Sequence, residues 1–376
     1  MAPIRVGLIG LGATTPVIGP GSWAVAAHLA SFVPSPHYEI VAVCNSTVES
    51  ARRSIEYHKL PSTVKAYGNA EDLAKDPNVD LVSVCVVVTS HYKVAKPALL
   101  AKKQVFVEWP LGASLAEAEE LAQLAREAKV KTIVGAQFRA DPALVKLKEL
   151  IDSGAIGRVT STEAQVSSSF LPPDVFMAGA TYFLDFKSGG NEFYIMLGHF
   201  LEGFLYVMGD FATVKSSLSV QYPLTKIVNF ETDEVVDPAY PKTAPDHMFV
   251  HGMLNNGAIA SVTYHRTPQL IDKNVRWVIS GTEGEIEFTT KGGQVQMGNN
   301  ERVIRIRTTK DEEARVVEWT ADAPAHVECV QSLGRNTANL YEAFAQGYKN
   351  VPDFEDGLRL HRLLDRIAKD AGPEFA

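Results

Sequence analysis

The sequence predicts an α/β domain over residues 1–141, followed over 142–376 by an α+β domain with a large, mostly antiparallel open sheet. In the first part, apolar runs such as Ile4–Ile9 and 79–88 alternate with stretches of helical periodicity, a pattern typical of a buried parallel sheet. In the second part, segments such as 258–265 alternate apolar and polar residues, which indicates half-buried antiparallel strands. A chain of 376 residues also favours two domains.

The apolar run Ile4–Ile9 leads into Gly10-Leu11-Gly12, and a helix is predicted to begin at Ser22 and Trp23. Glycines let the backbone turn sharply and approach a ligand, and serine is a favourable N-cap residue. A strand, a glycine turn and a helix N-terminus form an anion site, because free N–H groups and the helix dipole converge there. We therefore predict that Gly10, Gly12, Ser22 and Trp23 bind a nicotinamide dinucleotide.

This glycine motif is incomplete. Its third glycine would fall at Thr15, and the loop runs on through Pro16 and Pro20 before the helix. An ordinary strand–helix turn is the alternative interpretation. The position of the motif in the first of several strand–helix units favours a cofactor site with a lengthened phosphate loop.

The predicted second strand, Tyr38–Cys44, ends at Asn45 and Ser46. Dinucleotide folds usually carry an acidic residue there, which binds both ribose hydroxyls. No carboxylate would repel a 2′-phosphate at this strand end, and Arg52 and Arg53 follow in the next helix. We therefore predict that Asn45 and Ser46 bind the cofactor and that NADP is preferred, with NAD as the second candidate. A plain helix start with solvated arginines is the alternative.

Polar residues also follow three further predicted strands. Thr89 and His91 follow the fourth strand, Glu108 ends the fifth, and Gln137 follows the sixth. Because the carboxyl ends of parallel strands line the ligand crevice, we predict that these four residues bind the cofactor. For His91, capping of the following helix is an equal alternative.

The composition limits the classes of partner. The formal net charge is −8 and the pI about 5.7, whereas nucleic-acid binding needs a basic face, so no direct nucleic-acid contact is predicted. No apolar run reaches membrane-spanning length and no signal peptide precedes the first strand, so we expect a cytoplasmic protein without a membrane partner. The three cysteines, Cys44, Cys85 and Cys329, have no metal-type spacing, so no metal site is predicted.

Short motifs along nearly the full chain occur in the order of one enzyme family. They are Gly10-Leu11-Gly12, Thr89-Ser90-His91, Glu108-x-Pro110, Arg139-x-x-Pro142, Ser153-Gly154-Ala155-Ile156-Gly157, Gly198-His199-Phe200-Leu201-Glu202 and Gly281-Thr282-Glu283-Gly284. In these motifs the chain resembles the Gfo/Idh/MocA family, named after glucose–fructose oxidoreductase and inositol 2-dehydrogenase. The resemblance implies an NAD(P)-dependent oxidoreductase that acts on a sugar-like or other small carbonyl or alcohol substrate.

Four segments are similar to a regulatory branch of that family, the galactose-pathway transcriptional inhibitors of yeasts. They are Ser90-His91-Tyr92, Val107-Glu108-Trp109, Pro245-Asp246-His247 and Leu360-His361-Arg362-Leu363. Those regulators have the enzyme fold and a dinucleotide site, but act by binding an activator. The resemblance therefore leaves a second function open, a catalytically inactive NAD(P)-binding regulator with a protein partner and a nucleocytoplasmic location.

The resemblance also implies candidate catalytic residues. Family enzymes usually follow the glutamate with a lysine that handles the substrate proton, and here that position holds Trp109, whose indole has no basic lone pair. Of the family motif Asp-x-Gly-x-His the chain keeps His199, while Ile195 stands at the aspartate position. We predict His199 as the acid/base, Trp109 as a stacking platform and Tyr182 as a substitute for a missing group. A histidine bonded beside the core is the alternative for His199, and reduction of an activated C=N or C=C bond would need no lysine.

The strands of the second domain carry apolar residues at positions that we interpret as outward-facing. These are Val262, Tyr264, Trp277 and Ile279. An open sheet with two apolar faces has to be covered on both. We therefore predict a homodimer through the C-terminal sheet, with these residues in its interface.

Overall fold

The computed structural model describes residues 2–15, 21–168, 171–267, 272–298, 301–320, 323–348 and 351–375. The chain divides into two compact units. The first comprises Met1–Ala140, Gln296–Gly298 and Asp322–Arg362, and the second comprises Asp141–Val295, Asn299–Ala321 and Leu363–Ala376. The segment Asp322–Arg362 thus belongs to the first unit. The prediction of two consecutive domains, 1–141 and 142–376, did not include this return of the chain.

The α-helices range from single turns to long helices. In chain order they are α1 Ala30–Phe32, α2 Val48–Tyr57, α3 Ala70–Lys75, α4 His91–Leu100, α5 Leu115–Ala128, α6 Pro142–Asp152, α7 Gly198–Met208, α8 Ala325–Glu328, α9 Ser332–Gln346 and α10 Phe354–Ala371. Short 3₁₀ turns lie at Val88–Ser90, Gln137–Ala140, Thr181–Leu184, Phe186–Ser188 and Pro373–Phe375, and π-helical turns at Ala24–Leu29 and Glu192–Leu197. Within the described parts of the chain, no helix has both the length and the apolar character needed to cross a membrane.

A six-stranded parallel sheet lies in the first unit. In chain order its strands are β1 Ile4–Ile9, β2 Tyr38–Cys44, β3 Lys65–Tyr67, β4 Leu81–Val84, β5 Gln104–Glu108 and β6 Thr132–Gly135. Their spatial order is β3-β2-β1-β4-β5-β6, so the chain order reverses between β1 and β4, where such sheets bind ligands. The α/β prediction is confirmed, and the central strands are the buried apolar runs of the sequence.

Aromatic side chains fill part of the core of the first unit. They include Phe32, Tyr38, Phe106 and Tyr341. The rings of Phe32 and Tyr341 lie 4.4 Å apart, and Tyr341 is delivered by α9. At Gly334 this helix approaches the first helix so closely that a Cβ would lie 2.2 Å from the Ala26 carbonyl oxygen. Because only glycine permits this approach, the C-terminal segment packs directly on the start of the chain.

The second unit contains an eight-stranded sheet and a three-stranded sheet. In chain order the strands are β7 Val159–Ser168, β8 Val175–Met177, β9 Phe211–Ser219, β10 Leu224–Asn229, β11 Glu234–Pro241, β12 His247–Leu254, β13 Ile259–Arg266, β14 Val275–Gly281, β15 Gly284–Thr290, β16 Val303–Thr308 and β17 Arg315–Val317. The large sheet has the order β17-β16-β15-β14-β7-β13-β12-β9, and the small one β11-β10-β8. In the large sheet β7 and β13 are parallel, whereas the other neighbouring strands pair antiparallel. The predicted large, mostly antiparallel sheet is confirmed.

One face of the large sheet is buried, and it carries the residues that we expected to point outward. Val262, Tyr264, Trp277 and Ile279 are each at most 1% exposed, so their predicted outward orientation is wrong. The ring of Trp277 stacks on Phe204 of α7 with centroids 5.3 Å apart. An alternating pattern tells which residues share a face, but not which face a helix covers. The apolar residues of the other face that are exposed include Phe249, Met253 and Ile259.

Candidate functional site

The glycine turn lies at the carboxyl end of β1, between the ends of β2 and β4. The Gly10 N–H donates to the Cys44 carbonyl oxygen, and the Cys85 N–H donates to the Ile9 carbonyl oxygen, both at 3.0 Å. Gly10 has a φ of +96°, and a Cβ at this position would lie 2.0 Å from the Cys85 carbonyl oxygen. Only glycine fits here, so backbone packing fixes the turn that was predicted from the motif.

A polar cluster holds the following residues of the turn. Asn45 Nδ2 donates to the Leu11 carbonyl oxygen at 2.9 Å, and the Ser54 hydroxyl donates to the same oxygen at 2.6 Å. A ring nitrogen of His58 lies 2.7 Å from the Gly12 carbonyl oxygen. Asn45 is predicted to bind the cofactor. Its amide is directed at the glycine turn, and this contact favours a role in positioning that turn.

The first helix begins where the sequence predicts. Pro16 and Pro20 of the long loop lie outside the described residues. Ser22 and Trp23 form the first helical residues, and the buried π-helical turn Ala24–Leu29 continues the helix. Ser22 is buried, and Trp23 is half-buried against the core of the first unit.

The end of β2 presents hydroxyl groups and cations to solvent. Ser46 is exposed beside the N-terminus of α2. Thr47 caps this helix, because its hydroxyl accepts a hydrogen bond from a first-turn N–H at 3.0 Å. Arg52 and Arg53 are exposed, and so is the acidic first-turn residue Glu49.

A buried hydrogen-bond network surrounds Glu108, the last residue of β5. His28 Nε2 lies 2.7 Å from Glu108 Oε1, and Nδ1 of the same ring lies 2.7 Å from the Tyr341 hydroxyl. The Ser83 hydroxyl lies 3.1 Å from His28 Nδ1 and 2.9 Å from the Tyr341 hydroxyl. On the other side, Gln137 Nε2 donates to Glu108 Oε2 at 3.4 Å. The carboxylate is therefore held between the first helix and the residue after β6.

The direction of these hydrogen bonds follows from the chemistry of the groups. An ionised carboxylate only accepts hydrogen bonds, so His28 Nε2 carries a hydrogen and donates to Glu108. In a neutral ring Nδ1 is then an acceptor, and the Tyr341 and Ser83 hydroxyls both lie within hydrogen-bond distance of it. Burial raises the pKa of Tyr341 well above its usual range, so this hydroxyl keeps its proton. The result is a buried hydrogen-bond network that joins Tyr341, Ser83 and His28 to Glu108.

The sequence analysis missed His28, Ser83 and Tyr341. The available signal was a single polar residue inside an apolar segment, as His28 is in Ala24–Leu29 and Ser83 is in β4. Such residues need a buried partner. The partner could not be read from the pattern, because Tyr341 lies 313 positions from His28 along the chain.

Gln137 offers an acceptor for a ligand. Its side-chain oxygen is buried and has no hydrogen-bond partner among the residues that the structure describes, a state that a bound donor would relieve. Together with the Glu108 carboxylate it places acceptors at the carboxyl ends of β5 and β6. Ribose hydroxyls and the nicotinamide carboxamide are donors of the matching kind, so these residues fit a dinucleotide.

Trp109 is buried in the loop after β5, with 4% of its surface exposed. Its ring centroid lies 4.9 Å from that of His361 in α10. Burial lowers the pKa of His361 to about 3, so this imidazole is neutral near pH 7. Its Nε2 has no hydrogen-bond partner within the described ranges. The indole predicted to stack on a ligand thus packs against an imidazole of the first unit.

His91 connects the loops that follow β4 and β5. Its Nδ1 lies 2.7 Å from the Pro110 carbonyl oxygen, and its Nε2 lies 3.0 Å from the Val86 carbonyl oxygen. The ring is buried, and burial lowers its pKa. Because both nitrogens face carbonyl groups, His91 does not cap α4. Thr89, in contrast, presents an exposed side chain at the same strand end.

The predicted catalytic residues of the second unit lie on different segments. His199 is buried near the start of α7, which continues the π-helical turn Glu192–Leu197. Asn191 fixes the start of that turn, because its side-chain oxygen accepts two first-turn N–H groups at 3.1 and 3.3 Å. Tyr182 lies in a short, partly exposed 3₁₀ turn, and burial raises the pKa of its hydroxyl.

A buried set of charged side chains surrounds the start of the same helix. Lys242 Nζ lies 3.0 Å from Asp246 Oδ2 and 3.5 Å from Glu192 Oε2, and Arg266 Nη1 lies 3.6 Å from Glu192 Oε1. The two carboxylates, Glu192 and Asp246, thus lie near two cationic side chains, Lys242 and Arg266. Buried charges are costly unless an opposite charge lies nearby. The sequence analysis missed this cluster, which holds the helical turn preceding His199.

Comparison with known proteins places these features in one family. Residues 4–136 match the family described as "Oxidoreductase family, NAD-binding Rossmann fold" (GFO_IDH_MocA), and residues 142–290 match "Gal80p, C-terminal domain". The dehydrogenase aclE of Aspergillus oryzae is 34% identical over 289 residues, which cover 76% of this chain and 76% of that protein. The chain belongs to the Gfo/Idh/MocA family. The resemblance inferred from the motifs is thereby confirmed.

Solved structures with this fold include a regulator and an enzyme. A super-repressor mutant of Gal80p from Saccharomyces cerevisiae is 26% identical, with a TM-score of 0.85 over 98% of this chain and 96% of that chain. Levoglucosan dehydrogenase in complex with NADH and levoglucosan is 20% identical, with a TM-score of 0.75 over 99% and 98%. The second likeness concerns the fold alone.

We expect the buried His361 to make the protein less stable in acid. Its folded-state pKa of about 3 lies below the ordinary 6.5, so the unfolded chain binds the proton first. The stability that the neutral His361 imidazole contributes is fully present above the unfolded-state pKa, and it is lost as the pH falls toward the folded-state pKa. When the pH is lowered from about 7.5 to about 5, this residue should reduce the free energy of unfolding by about 2 kcal/mol.

Chemical denaturation of wild type and His361→Phe at both pH values measures this effect, because phenylalanine keeps a ring against Trp109 and removes the titration. The variant should lose less stability in acid than wild type. Equal acid losses in the two proteins would contradict the expectation.

Proposed function

We propose that this chain is a cytoplasmic NAD(P)-dependent oxidoreductase that acts on a sugar-like or other small carbonyl or alcohol substrate. An activated C=N or C=C bond is the second substrate class to test. The observation that carries the proposal is the Glu108 carboxylate at the carboxyl end of the parallel sheet, held by His28 at 2.7 Å and adjoining the unsatisfied oxygen of Gln137. This is a buried, oriented acceptor site at the same edge of the parallel sheet as the glycine turn, in a chain of an NAD-binding family.

Each part of the cofactor has a candidate partner. The glycine turn at Gly10 and Gly12, with the helix start at Ser22 and Trp23, would bind the pyrophosphate through backbone N–H groups. Thr89, Glu108 and Gln137 would bind the nicotinamide end. Asn45 would position the glycine turn, and His91 would position the loops after β4 and β5. When bound, the cofactor supplies or accepts the hydride.

We propose NADP as the preferred cofactor. Ser46 and Arg52 are exposed at the end of β2, where a carboxylate would otherwise bind the ribose hydroxyls. A hydroxyl and a guanidinium can hold a 2′-phosphate through charge-assisted hydrogen bonds. The exposed Glu49 in the same turn opposes this preference by repulsion, which solvent screens.

We propose His199 as the residue that transfers the substrate proton. Trp109 cannot serve, because an indole is neither basic nor positively charged. Asn191 and the charged cluster at Glu192 hold the helix start ahead of His199, as a residue in this role requires. Tyr182, whose hydroxyl stays protonated, is the second proton donor that we propose.

The alternative function is a catalytically inactive NAD(P)-binding regulator with a protein partner. Two observations favour it: the match of residues 142–290 to the C-terminal domain of Gal80p, and the tryptophan at the position of the family lysine. Both functions share the cofactor site. They differ in whether any substrate is turned over.

We also propose a homodimer through the exposed face of the large sheet. Phe249, Met253 and Ile259 lie together on β12 and β13, where Met253 pairs with Ile259, and each is about half exposed or more. A cluster of large apolar side chains on an open sheet favours an interface. The interface is thus expected on these residues and not on Val262, Tyr264, Trp277 and Ile279.

The cofactor preference is tested at Ser46. Wild type should bind NADPH more tightly than NADH. Ser46→Asp should weaken NADPH binding by about tenfold, equivalent to about 1.4 kcal/mol, because the new carboxylate repels the 2′-phosphate and can bond the ribose hydroxyls of NADH. Ser46→Asn is the matched neutral control. Titration of nicotinamide fluorescence gives the affinities. Tighter NADH binding by wild type would refute the preference, and binding of neither nucleotide would refute the site.

The catalytic assignment is tested with polyols, aldoses, imines and enones, followed by nicotinamide absorbance. His199→Asn should lower kcat about a hundred- to ten-thousand-fold, the usual cost of losing a general acid, with little change in NADPH affinity. His326→Asn, in α8 and outside the residues assigned to cofactor and substrate, is the control, and Trp109→Lys should move activity toward family dehydrogenase substrates. Turnover that survives His199→Asn would refute the assignment, and a wild type that binds NADPH without turning over any substrate would support the regulator.

The dimer is tested by light scattering at micromolar concentration. Wild type should have the mass of two chains. Met253→Glu combined with Ile259→Glu should give monomers, because two like charges on paired positions would be buried in the interface. Val33→Glu places a charge on an exposed residue of the first unit and should leave the dimer intact. A monomeric wild type would contradict the proposal.

A further inference from the structure

Three metal-ligating side chains from distant parts of the sequence meet in the first unit. His37 lies directly before β2, His326 lies in α8 and Glu342 lies in α9. None of them belongs to the cofactor site described above. One donor atom from each residue lies within 4.8 Å of the other two.

One pair of these donors is hydrogen-bonded directly, and a second pair is spaced as around a metal ion. His326 Nε2 lies 2.8 Å from Glu342 Oε2, and His37 Nε2 lies 3.6 Å from Glu342 Oε1. Zinc bonds of roughly 2.0–2.2 Å in tetrahedral geometry place donor atoms about 3.3–3.5 Å apart. The second distance is too long for a hydrogen bond. His37 therefore faces the carboxylate across a gap that an ion can bridge.

The segments that carry His37 and Glu342 are connected to each other without an ion. The Tyr38 hydroxyl donates to the Tyr341 carbonyl oxygen at 2.6 Å, and these residues are the chain neighbours of His37 and Glu342. The backbone segments that carry two of the ligands are thus already joined. Such preorganisation lowers the cost of closing a site around a cation.

A fourth position is present beside the three ligands. The side-chain amide of Gln346, one turn after Glu342 on α9, lies 3.0 Å from Glu342 Oε1 and 3.5 Å from a ring nitrogen of His37. The oxygen and nitrogen of an amide are assigned from its hydrogen bonds, so a rotation of this group presents its oxygen. All three ligand side chains are partly exposed, which gives an ion access.

We propose that His37, His326 and Glu342 form a site for a divalent transition metal of the zinc type, with Gln346 or water as the fourth ligand. Two imidazoles and one carboxylate are a ligand set that zinc accepts. The bound ion would connect α8 and α9 to the segment that precedes β2. Because the unfolded chain cannot bring these residues together, metal binding stabilises the folded state.

Chelator-treated protein titrated with zinc chloride by calorimetry tests the site. We expect binding of one equivalent with micromolar or tighter affinity, a higher melting temperature with zinc, and the visible spectrum of tetrahedral cobalt when Co²⁺ replaces zinc. Glu342→Gln and His37→Asn should each weaken zinc binding at least tenfold. His251→Asn, outside the cluster, should leave it unchanged.

Cys329 provides the decisive control, because this exposed thiol lies 3.3 Å from the His326 carbonyl oxygen and thiolates bind zinc. Cys329→Ser should retain the affinity. Circular dichroism and NADPH titration establish that each variant is folded. The proposal is overturned if zinc binding does not saturate at millimolar concentration, or if Cys329→Ser abolishes binding that Glu342→Gln retains.

Discussion

The contact between the Glu108 carboxylate and the His28 imidazole is the interaction on which the first unit depends. A buried carboxylate is costly unless it is hydrogen-bonded, and here His28 and Gln137 supply the donors. His28 in turn needs the Tyr341 hydroxyl. Leaving a buried donor or acceptor of this network unsatisfied costs about 1–3 kcal/mol, and more for a charged carboxylate. The Glu108 carboxylate, which we propose to bind the cofactor, thus also holds buried side chains of the first unit together.

This dependence explains why the C-terminal segment returns to the first unit. Tyr341 lies on α9, and α9 reaches the first helix only because Gly334 lets the two backbones meet. The same helix carries Glu342 of the proposed metal site. A segment over 300 positions from His28 therefore completes both the polar network and the aromatic core.

The loop after β5 carries the position at which the family resemblance implies a lysine. In this chain the residue there is Trp109, which packs against His361, a neutral buried imidazole. An aromatic pair of this kind supplies packing and excludes water, but no proton transfer. Any acid/base chemistry must then come from other residues, which is why the experiment on His199 separates an enzyme from a regulator.

The sequence by itself determined the order of strands and helices in the parallel sheet, the glycine turn and the polar ends of the parallel strands, but not the three-stranded sheet of the second unit. These features are local, since periodicity and turn chemistry act over a few residues. Only the tertiary structure decided which face of the large sheet is buried. It also decided that the side chains of Asn45 and His91 bond to backbone carbonyl groups of neighbouring loops. Finally, it brought His28, Ser83 and Tyr341 into one network with Glu108. Those outcomes depend on contacts between residues far apart in the chain, and a polar residue in an apolar run carries no sign of which distant partner will satisfy it.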